Sequence, residues 1–134
     1  MKQQLGRIWF AIQAVSVIAW WLFLLVYPGM RPLFSVRDAP FISLGAFAPG
    51  DLLLIALGSA LVSFGNHPRW VVPFGWMVAG AVSYGAIYCV TITVLGSAPA
   101  LGAILMVPAA VLSVAAAVAI SRERSGTVSS RPSA

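Results

Sequence analysis

Residues 8–27 read IWFAIQAVSVIAWWLFLLVY, an unbroken run with no charge in it. As an α-helix this run is about 30 Å long, which matches the hydrocarbon core of a bilayer. Arg7 precedes it and Pro28-Gly29 stops it. The run is longer than the apolar region of a secretion signal. The following Tyr27-Pro28-Gly29-Met30-Arg31 has no small-x-small cleavage site. It is therefore expected to remain as a first membrane span.

The rest of the chain supports the same reading. Of its 134 residues, 60% are hydrophobic and 8% charged, and the mean hydropathy is +0.96. Soluble domains carry roughly 25% charged residues, so this chain has too few polar groups to cover a water-facing surface. Residues 71–95 and 101–120 are two further long apolar blocks, with Pro73 in the first turn of the former, where a missing N–H costs little. Residues 51–65 are the difficult block. At roughly 20 Å they are short for a span, and the apolar character extends backward through residues 41–48 until Pro49-Gly50-Asp51 interrupts it. Two arrangements compete: an interfacial segment followed by a helix that starts at Asp51, or a broken helix that enters at Phe41 and kinks at Pro49-Gly50. The first is preferred, because Pro-Gly-Asp is a good helix start and an acidic first turn suits the helix dipole.

Charge sets the expected orientation. Lys2, Arg7, Arg69, Arg122, Arg124 and Arg131 fall on one side of the four blocks, and only Arg31 and Arg37 on the other. The side richer in Lys and Arg is the cytoplasmic one. The expected fold is thus an all-α integral membrane protein, a four-helix transmembrane bundle in the cell membrane with both termini cytoplasmic. Residues 121–134 form a tail of Ser, Arg, Gly and Pro with no apolar face, expected to be disordered.

The net charge of +5 reads as topology signal and contact with anionic lipid head groups. The basic residues stand singly at block ends, without the clustered charge that phosphate neutralisation needs, so nucleic acid is not a partner. The lone Cys89 has no CxxC mate and His67 is the sole histidine, so no metal site or cofactor is expected. With the block boundaries above, the spans contain no Asp, Glu, Lys, Arg or His beyond their terminal turns. That argues against proton-coupled pumps and exchangers, which need an ionisable group within the membrane.

The remaining candidates are few. Gln13 is the most polar side chain inside a span. Tyr84, Tyr88 and Thr91 make a hydroxyl stripe on the third block, and Pro108 leaves the Ile104 carbonyl free as a partner for Tyr88. With Asp51, these residues are expected to serve in helix packing or in a polar lining. Gly75, Ala79 and Ser83 form a small-residue stripe suited to close helix contact. Arg31 and Arg37, on a proline-stiffened loop flanked by Phe34 and Phe41, are candidates for binding an anionic group by forked hydrogen bonds. The leading functional expectation is a non-catalytic accessory or structural subunit that packs with itself, as a homo-oligomer, or with a larger membrane partner. A small-solute or lipid-handling transporter using the outer loop and the Pro49-Gly50 break is the first alternative. A membrane enzyme acting on a lipid, with Asp38, Asp51 or His67 as acid–base groups, is the second.

Overall fold

The computed structural model describes the backbone of residues 2–36, 40–65 and 68–129. Arg37, Asp38 and His67 lie outside these residues. The described chain is all-helical, and four helices are long and apolar enough to cross a membrane. Helix α1 spans Lys2–Val26, and a short 3-10 helix, Pro28–Leu33, follows it. Helix α2 consists of three consecutive stretches: Pro40–Pro49, the π-helical Gly50–Leu57, and Gly58–Phe64. Helices α3 and α4 span Pro68–Val94 and Leu101–Ser129. The four helices pack in cyclic order, each against the next and α4 against α1, while the diagonal pairs touch little.

The start of α2 departs from the sequence reading. The helix is already running at Pro40, so Asp51 does not open it. Pro49 keeps helical angles, φ −63 and ψ −41, so the chain never leaves the helical basin at the expected break. A proline inside an α-helix lacks a donor and its ring collides with the carbonyl four residues back. The switch to the wider π register over Gly50–Leu57 accommodates that misfit without ending the helix. The extension also resolves the length problem, because the apolar window of α2 becomes Leu44–Phe64, 21 residues. At the other end of the chain, α4 runs on to Ser129, past residue 120 where the helix was expected to stop. No Pro or Gly stands between Ile120 and Gly126 to stop it.

The two halves of the bundle differ. Towards the end that carries the chain termini, Phe10, Val62, Val71, Val78, Ala117 and Ile120 close the centre, all nearly inaccessible. Gly75 and Ala79 of the small-residue stripe are buried here, and a Cβ at Gly75 would sit 3.9 Å from the Phe10 ring and 4.0 Å from Ala117. Arg7 fastens the same end. Its guanidinium donates to the carbonyls of Val62 and Gly65, and Ser63 Oγ lies within reach of two carbonyls, Ser59 at 2.8 Å in its own helix and Arg7 at 3.1 Å. A cation on the last carbonyls of α2 satisfies groups that no helical partner can reach and meets the negative end of the helix dipole. At the opposite end, two residues past the last residue of α3, Gly96 has a φ of +70, the left-handed conformation that favours glycine. The half of the bundle near Gly96 and the 3-10 helix is not closed in this way, and it contains a cavity.

Candidate ligand cavity

The longer α2 changes the position of Asp51. It lies about two turns inside the apolar window Leu44–Phe64. The expectation that no ionisable group stands within a span is therefore corrected: it rested on a helix that started at Asp51, and the helix starts at Pro40. Among the described residues, the one polar contact of the carboxylate is from α1, where Trp21 Nε1 donates to Asp51 Oδ2 at 3.1 Å. Asp51 and Ile55, four residues apart and so on one face of the helix, line the interior, while Leu52, Leu53 and Leu54 remain on the exposed side.

Asp51 lines a cavity of about 430 Å³ formed by all four helices and Phe34. Aromatic rings dominate its wall: Trp9, Trp20, Trp21, Phe34, Phe47 and Tyr88. Several of these hold one another. Trp20 and Phe34 meet edge to face with centroids 4.2 Å apart, and Phe47 and Tyr88 lie 4.5 Å apart. Such pairings fix ring orientation as well as contribute energy. On the α3–α4 side the wall is lined with small residues. Gly85 leaves room for Met106, whose terminal methyl would be 2.8 Å from a Cβ there, and Gly102 rests against Cys89 Sγ. The two helices can therefore approach closely behind the cavity.

Gln13 contributes the other buried polar group of the wall, at 6% exposure. Ser113 Oγ lies 3.0 Å from Gln13 Oε1, 2.7 Å from the Ala109 carbonyl oxygen and 3.1 Å from the donating Trp9 Nε1. A hydroxyl has one proton and two lone pairs, so it cannot donate to both acceptors. The Ala109 carbonyl already accepts a backbone N–H of its own helix, so the Ser113 proton serves Gln13 Oε1 while the hydroxyl oxygen accepts from Trp9 Nε1.

The other candidates fall in different places. Tyr88 lines the cavity. Tyr84 lies on the outer surface of α3 at 67% exposure, and Thr91 is exposed with its hydroxyl bonded to the Ile87 carbonyl at 2.8 Å. The hydroxyl stripe is thus divided: its members share a helix face loosely, and only Tyr88 points inward. Ile104 and Pro108 are exposed on α4, away from the cavity wall. Arg31, in the 3-10 helix, is tied back to the end of α1, with Nε donating to the Leu24 carbonyl at 2.9 Å. Among the described residues, no three His, Cys, Asp or Glu side chains come together as a metal site would require. Trp21, Ser113, Phe34 and Phe47 escaped the sequence reading as site residues. They are brought to Asp51, Gln13, Trp20 and Tyr88 by tertiary packing alone, across separations as long as that of Gln13 and Ser113. Comparison with protein-family models, curated proteins and solved structures gave no match.

Proposed function

We propose that the chain is a four-span protein of the cell membrane, with both termini cytoplasmic, that binds a small amphipathic solute in the cavity at Asp51. This is the solute-handling alternative of the sequence reading. The accessory-subunit expectation drew its support from an absence of chemistry inside the spans, and Asp51 removes that support. The observation that carries the proposal is the combination of an apolar, aromatic-walled cavity with one convergent carboxylate. Ligand sites generally have this composition and occupy roughly 300–1,000 Å³. A charged residue within a helix of such hydropathy is costly and marks a solute or ion pathway more often than a packing contact. The π stretch beside it is a further sign, since such bulges gather at functional sites. In this reading Arg31, at the surface of the same end, keeps its terminal guanidinium nitrogens for an anionic lipid head group.

Tryptophan fluorescence tests the proposal, because Trp9, Trp20 and Trp21 all face the cavity. In detergent, a panel of small cationic, neutral and anionic amphiphiles should include at least one that changes the emission saturably. Ser16 also lines the cavity and is exposed within it, so Ser16→Phe should fill the space and abolish that response without unfolding the bundle. A response of equal affinity in Ser16→Phe, or none from any member of the panel, would refute a ligand-binding cavity.

A further inference from the structure

We infer that the solute is a lipophilic organic monocation, an ammonium or phosphonium centre on an apolar body, with Asp51 as its counter-ion. The inference rests on the cavity being a ligand site and adds the charge and class of the ligand.

Asp51 provides the first argument. Trp21 occupies Oδ2, and among the described residues Oδ1 has no hydrogen-bond partner and no cation stands beside the carboxylate. A carboxylate in apolar surroundings needs a compensating charge or hydrogen bonds, and a ligand cation supplies it. The rest of the wall has the same preference. Among the described residues no Lys, Arg or His lines the cavity, and the Trp9 and Trp21 N–H groups are already taken. With a carboxylate and no cation among these residues, the wall disfavours an anion.

The aromatic rings narrow the class. The face of an indole, phenol or phenyl ring attracts a positive charge, most strongly a weakly hydrated one from which water has been excluded. Trp20 and Tyr88 line the cavity from opposite helices, α1 and α3. A hydrated metal ion is poorly served, because Ca²⁺ and Mg²⁺ take six or more oxygen ligands and the cavity offers one carboxylate. A polyamine would leave a second charge without a counter-ion. A single delocalised or alkylated cation, with hydrocarbon to fill the remaining volume, fits both the charge and the walls.

The test compares tetraphenylphosphonium with tetraphenylborate, which share shape and differ in sign. Equilibrium dialysis in dodecyl maltoside, a neutral detergent without an ammonium group, measures binding to the purified chain. Tetraphenylphosphonium should bind saturably and tetraphenylborate should not. Asp51→Asn should weaken the cation by about tenfold or more, and Asp51→Glu, which keeps the charge, should restore most of the affinity. Equal binding of the two ions by the wild-type chain, or undiminished cation binding by a folded Asp51→Asn, overturns the inference. If Asp51→Asn does not fold, the comparison of the two ions on the wild-type chain decides. Saturable binding of neutral triphenylphosphine oxide with none of the cation would leave the ligand cavity standing and remove the cation. Failure of all three probes would remove both.

Discussion

Replacing Asp51 with leucine is expected to raise the melting temperature of the purified protein while eliminating its binding of organic cations. The sign follows from two opposing terms. An aspartate near the middle of a membrane helix costs about 2.5–3.5 kcal/mol relative to water. Leucine removes that cost and leaves the Trp21 N–H without its acceptor, a loss of about 1–3 kcal/mol for a buried donor. The centres of the two ranges differ by about 1 kcal/mol in favour of the first, which sets the expected net gain. Stability gained by deleting a side chain at the expense of binding marks that side chain as functional, since sites are often held at the expense of stability. Differential scanning fluorimetry at matched detergent concentration reads the change. A substantial fall in melting temperature would mean that the Asp51–Trp21 bond is a structural clamp between α1 and α2, and that the carboxylate is retained for packing.

The second large effect is expected at Gly58, where α2 leaves its π stretch and packs against α3. A Cβ at this position would be 2.7 Å from Val78 Cγ2. Val78 is completely buried, and a β-branched side chain in a helix has one strongly preferred rotamer, so it cannot swing aside. Gly58→Ala should therefore push α2 and α3 apart and destabilise the protein by about 1–3 kcal/mol, the usual range for overpacking. The same substitution at Gly80, where a Cβ meets nothing within 4 Å, should be neutral or stabilising, because alanine is the better helix former. Thermal denaturation of the two variants side by side separates the steric effect from helix propensity. Similar stability of Gly58→Ala and wild type would show that the close approach of α2 to α3 is wrong.

Four apolar helices were legible in the sequence, because for such runs length and hydropathy are the signal. The start of α2 was not: Pro49-Gly50-Asp51 is locally a good helix start, so Asp51 was preferred over entry at Phe41. The competing feature is a register shift to i→i+5 bonding, which leaves no mark in residue periodicity. That single boundary determined the functional reading. With the helix starting at Asp51, the carboxylate is a terminal-turn residue at the membrane surface, and the spans contain no ionisable group. With the helix starting at Pro40, the same residue lies within the apolar window and shares a cavity wall with three tryptophans. Gln13 was visible as the polar residue of its span, but its partners were not, since Ser113 on α4 resembles any other serine in an Ala/Val-rich helix. Trp20 and Trp21 carry no such signal in the sequence, because an indole that faces lipid and one that lines a cavity are the same residue.

Cys89 provides the most direct test of the site. It is the sole cysteine of the chain and it lines the cavity with Asp51, so alkylation by N-ethylmaleimide reports on that space and no other. Its rate should fall severalfold when tetraphenylphosphonium saturates the wild-type protein, and should not respond to the same concentration in Asp51→Asn. An alkylation rate in the wild type that is indifferent to the cation would contradict a cavity that binds it at Asp51.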